Sequence, residues 1–244
     1  MRIPVVRGVI ERRILVNYRV DPSVLAGLLP LPFRPKLANG WGVAGVCLIR
    51  LNQIRPRWLP SVVGLRSENA AHRVAVEWDQ DGEKKQGVFI PRRDTSSRLN
   101  TLVGGLLFPG EHQHACFQVH EDRNSYSVQL DSDDGKTHLI VEGHVATNLP
   151  ASSIFQSLDE ASDFFESGAL GYSVTSTPGT FDGLELRSLG WRVQPLAVDR
   201  VASSFFDNQA MFPAGSAELD CALLMKGIDH EWHERKPLCA CSME

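Results

Sequence analysis

A chain of 244 residues, 43% hydrophobic and 22% charged, is long enough to bury a full core without staples, and its composition excludes an intrinsically disordered protein. Its net charge of −4 gives no general attraction to nucleic acid or to an anionic membrane. In "MRIPVVRGVIERRILVNY", Pro4, Arg7, Glu11, Arg12 and Arg13 break any signal-peptide or membrane-spanning block, so the expected location is the cytoplasm.

The first helical signal is "DPSVLAGLLP", with Asp21 as N-cap, Pro22 at the first helical position and Val24, Leu25, Leu28 and Leu29 on one face. Strands follow at "GVAGVCLIRLNQI", "HRVAVEW", "QGVFI", "HACFQVH", "NSYSVQL" and "THLIVEGHVA". The linkers "DQDGEKK", "HEDRNS" and "DSDDGK" carry tight-hairpin chemistry, so successive strands are expected to be antiparallel neighbours. After "QGVFI", the stretch "TSSRLNTLVGG" predicts a short helix capped by Thr95 or Ser96. A further helix is predicted at "SLDEASDFFESG", which opens on a capping box from Ser157 to Glu160 and closes on Gly168. The strands "LGWRVQPLAVDRVASSFF" and "SAELDCALLMKGI" complete the pattern. Strands outnumber helices and no repeat appears, which predicts a mainly β (α+β) fold: an antiparallel β-cone or barrel with a few short helices. One domain is expected over residues 1–234, with residues 235–244 as a flexible tail.

Several kinds of chemistry lack their signatures. There is no Gly-x-Gly-x-x-Gly, P-loop or Gly-x-Ser-x-Gly, so neither a nucleotide cofactor nor a serine hydrolase is expected. Cys47, Cys116 and Cys221 lie in apolar segments and read as buried thiols; "CAC", Cys239 to Cys241, lacks the second ligand pair a zinc site needs. His112 and His114 alternate on one strand face, and His72, His120, His138 and His144 are scattered over other strands, without a third convergent ligand. "HEWH", His230 to His233, reads as surface. No metal and no cofactor are expected. "RLNQIRPRWLP" mixes basic residues with Trp58 and reads as a rim or subunit contact rather than a nucleic-acid site.

The ordered series "NYRVDPSVLAGLLPLPF", "RSENAAHRVAV" and "GVFIPRRDTS" resembles the acetoacetate decarboxylase family, over roughly Arg12 to Asp94, with a weaker echo at "VASSFFD". In that family a strand ending in Tyr-Arg-x-Asp leads into a short helix and a Val-Pro-x-Pro turn; a glutamate follows, and then Tyr-Pro-Lys-Lys at a strand end. The resemblance implies a β-cone or barrel with an interior site and assembly into homo-oligomers. It places Arg92 on the imine-forming lysine, Arg93 on the second lysine, Glu68 on the active-site glutamate, and Arg12 or Arg13 on a pocket arginine.

The lysine-to-arginine departure decides the expected chemistry. An imine needs a deprotonated primary amine, whereas guanidinium stays protonated. Lys84, Lys85 and Lys136 fall in hairpin turns, Lys36 in a Pro-flanked loop and Lys236 in the tail, while Lys226 lies in a strand-like run and reads as a strand-end charge. The remaining expectation is a small anionic ligand, an oxoacid or other carboxylate, bound by Arg92 and Arg93 with Arg12, Arg13, Asp94, Thr95 and Ser96 around it and Glu68 as general acid or base. Non-imine lyase or isomerase chemistry would follow; the alternatives are a non-turnover sensor barrel, or arginines that only form a charge network with Glu68 and Asp94.

Overall fold

The computed structural model describes residues 4–98 and 110–240. Thirteen strands form one continuous sheet: β1 (Val6–Val20), β2 (Arg34–Pro35), β3 (Leu37–Ala38), β4 (Trp41–Pro56), β5 (Leu65–Gln80), β6 (Glu83–Thr95), β7 (Gln113–Glu121), β8 (Ser125–Ser132), β9 (His138–Val145), β10 (Leu170–Val174), β11 (Thr180–Leu189), β12 (Gln194–Ser203) and β13 (Ala217–Cys239). Two helices, α1 (Pro22–Leu28) and α2 (Leu158–Glu166), and a 3₁₀ turn at Ser61–Val63 accompany the sheet.

Two closures shape this sheet. Pairing of β5 with β6 closes a nine-strand ring through β7, β8, β9, β12, β13, β1 and β4. Pairing of β10 with β6 and of β11 with β13 closes a seven-strand ring that shares β13, β1, β4, β5 and β6 with the first. Two of the pairings, β6 with β7 and β6 with β10, are parallel, so the expected antiparallel sheet is mixed at this strand. Gly87 permits the second junction: a Cβ there would sit 2.2 Å from the Leu170 carbonyl oxygen.

Shared strands carry a different apolar set on each face. Ile14, Val16, Val46, Leu48, Val76 and Trp78 join Val128, Leu130, Leu139 and Leu196 on the nine-strand side. Leu15, Val43, Cys47, Ala75 and Leu223 pack with Phe155, Ala161 and Phe165 on the other. The predicted strands and the two helices predicted within the described residues are present. Asp21 Oδ1 caps α1 by accepting from Ser23 N at 2.8 Å, and Ser157 Oγ caps α2 by accepting from Glu160 N at 3.1 Å. The Glu160 carboxylate takes the Gln156 N–H at 2.7 Å instead of returning to the cap residue. Asp81 and Gly82, both at positive φ (54° and 75°), form the two-residue turn joining β5 to β6.

Three expectations need adjustment. The helix predicted in "TSSRLNTLVGG" lies almost wholly outside the described residues. Residues 235–239, read as tail, continue β13, where Arg235 pairs with Gly183 and Leu238 with Phe181; the sheet satisfies their backbone and buries Leu238. His230, read as surface, is fully buried on that strand, because strand alternation turns it inward against the Trp232 ring at 4.3 Å. Trp58, Val62 and Val63 in the segment read as a rim are exposed.

Buried histidines make stability pH-dependent. His72 has no surface exposure and no hydrogen-bond partner at either ring nitrogen, and burial, then the charge of Arg92, pulls its pKa to about 3; burial lowers His230 to about 4. Both folded values lie below the unfolded value of about 6.5, so below that pH the unfolded chain binds protons that the folded chain refuses. Their contribution is complete above pH ~6.5 and lost towards pH 4. Urea unfolding should show stability falling by about 1.4 kcal/mol per pH unit for each histidine in this window, and His72→Leu should remove one such increment from the slope.

Candidate active site

Adjacent side chains on a strand face opposite ways, so each Arg-Arg pair is divided between the two interiors. Arg12 follows Ile14 to the nine-strand side, while Arg13 lies with Leu15 on the seven-strand side. On β6 the register shifts: Val74 pairs with Phe89 but His72 with Arg92, so three residues of β6 oppose two of β5. That bulge puts Arg92 and Asp94 on the face of Phe89, and Arg93 on the face of Val88 and Ile90.

On the nine-strand side the charges are paired. Arg12, 1% exposed, donates through Nη2 to Glu68 Oε2 at 2.6 Å and through Nη1 to Glu121 Oε1 at 2.5 Å. Arg50 donates through Nε to the second oxygen of Glu68, and its Nη1 ion-pairs with Glu121 Oε1 at 3.0 Å. Ser96 docks on the backbone of the same residue, its N–H donating to the Glu68 carbonyl at 2.9 Å and its Oγ accepting from Glu68 N at 3.0 Å. Arg92 forms a second network, with Asp94 at 2.7 Å and Asp134 at 2.9 Å. Hydrogen bonds from Arg92 hold the Asp134 carboxyl well below the usual carboxylate range, while burial raises that of Asp94 against the pull of the same arginine. Thr95 Oγ1 donates to Asn69 Oδ1 at 2.8 Å.

On the seven-strand side lies a cavity of ≈ 210 Å³, to which all seven strands of that ring contribute. Arg13 comes from β1, Cys47 from β4, Arg73 from β5 and Arg93 from β6, facing apolar walls that include Phe165, Trp191 and Trp232. Among the described residues no carboxylate lies within 4.0 Å of any of the three guanidiniums; Glu166 lines the rim but is exposed and pairs with none of them. Neutral groups support the arginines instead. Arg93 Nε donates to Ser173 Oγ at 3.0 Å, Arg73 Nη2 donates to Asn17 Oδ1, and Arg13 Nε donates to Cys47 Sγ at 3.2 Å. Arg73 also lies over the Phe165 ring at 4.9 Å, and Arg13 over Trp191 at 5.8 Å.

Desolvation without a counter-charge disfavours the protonated form. Burial accordingly pulls Arg73 and Arg93 down to about 10. Arg93 is half-buried, whereas Arg73 is 5% exposed. His112 borders an adjoining recess of ≈ 60 Å³ with Arg93. Burial, then Arg93, lowers it to about 4, so at neutral pH it adds no further positive charge.

Sequence reasoning missed Arg73, whose only signal was a charge inside the apolar run "HRVAVEW", and Cys47 as a cavity residue. It also passed over Lys36. Lys36 borders a ≈ 30 Å³ recess with Arg13 and Arg73; its Nζ donates to Ser167 Oγ at 2.7 Å and lies 4.3 Å from the Phe164 ring. Burial lowers its pKa. Lys226 is exposed and donates to the Tyr126 hydroxyl at 3.1 Å on the other side. No metal-ligand cluster occurs among the described residues.

A family model, DUF2071, described as an uncharacterized conserved protein, matches residues 9–229. The chain belongs to this family. A comparison with curated proteins returned no match. Among solved structures the chain is similar to acetoacetate decarboxylase from Legionella pneumophila, with 12% identity and a TM-score of 0.61, covering 96% of this chain and 88% of that one. It is also similar to the enduracididine biosynthesis enzyme MppR, with 10% identity and a TM-score of 0.62 over 99% of this chain and 90% of that one. An acetoacetate decarboxylase-like enzyme from Sphingomonas wittichii RW1 has 13% identity and a TM-score of 0.56, covering 98% and 93%. The DUF2071 chain thus has the acetoacetate decarboxylase-like fold.

The paired and unpaired arginines differ in what their loss costs. Arg12→Ala removes one of two cations from Glu68 and Glu121, and should lower the urea-unfolding free energy by about 3 kcal/mol; adding Glu68→Gln should recover part of that loss.

Proposed function

We propose that this DUF2071 protein binds a small carboxylate or 2-oxoacid inside the seven-strand ring. The observation that carries the reading is the convergence of Arg13, Arg73 and Arg93 on one cavity with no carboxylate of the described residues within ion-pairing distance. Three positive charges in a desolvated space are costly, and an anionic ligand offsets that cost while accepting charge-assisted hydrogen bonds. The aromatic wall suits the carbon portion of the ligand. MppR, which shares the fold, is solved with pyruvate, a 2-oxoacid.

In this reading Arg93 takes the ligand role, with Arg13 and Arg73, whereas Arg92, Asp94, Arg12 and Glu68 hold the nine-strand interior together. Both carboxylate oxygens of Glu68 are engaged by arginines, which suits a clamp better than a proton carrier. The guanidiniums stabilise negative charge that develops on an enolate or alkoxide, which favours lyase or isomerase chemistry without an imine. A second reading, imine formation at Lys36, is favoured by the lowered pKa of that amine beside the same arginines.

Thermal melts with pyruvate, acetoacetate and longer 2-oxoacids test the binding. A carboxylate should raise Tm of the wild type. Arg93→Ala should weaken its binding about ten- to a hundredfold, the loss of charged hydrogen bonds of roughly 1.5–3 kcal/mol each. Arg92→Ala should leave binding within about threefold yet destabilise the fold by about 3–5 kcal/mol, because Asp94 loses its buried partner. The opposite pattern overturns the assignment.

Borohydride reduction in the presence of pyruvate should leave the protein mass unchanged. A reduced adduct mapping to Lys36 decides for the second reading.

A further inference from the structure

Cys47 borders the cavity, and its sulfur accepts the Arg13 Nε hydrogen bond at 3.2 Å. Thiol nucleophiles occur where cations stabilise the sulfur anion and a cavity gives access. Cys221 shows the contrast. Both thiols are buried, but the Cys221 thiol is pushed up by burial and by Asp220, and its contact from Asn17 Nδ2 is long, at 3.6 Å.

A separate observation indicates that this sulfur sits beside a ligand position. Arg73, 95% buried and lining the same cavity, has no hydrogen-bond partner at Nε and no carboxylate within ion-pairing distance among the described residues. The Nη groups of Arg13 likewise make no hydrogen bond to the described residues, and they extend from the guanidinium whose Nε already holds the sulfur. A carboxylate taken by the Arg13 Nη groups lies beside the guanidinium that holds the Cys47 sulfur.

We propose that Cys47 is a covalent nucleophile towards 2-oxoacids held in the arginine-lined cavity. This rests on the carboxylate reading above. The sulfur lone pair forms an S–C bond to C2 as the carbonyl π pair moves onto oxygen, beside the guanidiniums, and the S–H proton passes to solvent. The oxygen takes a proton from solvent, giving a thiohemiketal. No electron donor or acceptor is consumed, and reversal of the same steps releases the oxoacid.

The test uses the native protein and two alkylating probes in equal concentration, iodoacetate and iodoacetamide, with products resolved by peptide mass spectrometry. Each forms an S–C bond and expels iodide, but only iodoacetate carries a carboxylate. Exposed Cys116 and Cys239 are internal references. The iodoacetate-to-iodoacetamide ratio at Cys47 should exceed that at Cys116 by about tenfold or more, the effect of one charge-assisted contact. Arg93→Gln and Arg13→Gln should bring the ratio down to that of Cys116, and pyruvate should protect Cys47 selectively. Because these variants alter a buried cluster, wild type and Cys47→Ser are also compared by ¹³C NMR with pyruvate labelled at C2. A bound signal in the tetrahedral-carbon region should appear with wild type and be absent from Cys47→Ser. An unmodified Cys47, or a ratio equal to that of Cys116, overturns the proposal. If carboxylates still raise Tm in that case, the nucleophile falls and the ligand reading stands; if they do not, both fall.

Discussion

Five strands, β13, β1, β4, β5 and β6, must serve two interiors at once. A strand in an ordinary half-exposed sheet sends alternate side chains to water, which accepts any charge. Here alternate side chains enter one ring or the other, and each polar group on the wall must find a partner inside protein. The apolar residues obey this by filling two cores. The charged residues obey it in two different ways.

In the nine-strand ring, arginine meets carboxylate directly. Arg12 and Arg50 clamp Glu68 and Glu121, and Arg92 joins Asp94 to the β8–β9 turn through Asp134. These contacts tie strands that are distant in sequence, and each network is close to neutral. In the seven-strand ring, Arg13, Arg73 and Arg93 rest on a thiol, an amide and a hydroxyl. Neutral acceptors orient a guanidinium without cancelling its charge. The same residue type is therefore neutralised by carboxylates on one face and held by neutral groups on the other.

The shift in register between His72 and Val74 on β5 is what assigns Arg93, rather than Arg92, to the cavity face of β6. The decarboxylase-like fold is shared at 9–13% identity, so what is common to these chains is backbone geometry rather than side-chain chemistry. Arg93 and Cys47 border the seven-strand cavity, and Lys36 borders a recess beside Arg13 and Arg73.

Much of the architecture was legible in the residues themselves. Apolar runs of strand length, the Asp81-Gly82 turn, the caps Asp21 and Ser157, and the ordered resemblance from Arg12 to Asp94 are local signals, because propensity, capping and turn chemistry act over a few residues. They led to a mainly β chain with short helices and to arginines as the groups to watch. The pairing of β10 with β6 and of β11 with residues 235–239 was not legible, since it depends on contacts between segments about 50 to 80 residues apart. Nor was the face of each arginine. Strand alternation says that Arg12 and Arg13 diverge, and Arg92 and Arg93 likewise, but not which member enters which interior. Ring closure and a one-residue bulge decided that, and with it which charges meet carboxylates and which three converge without one.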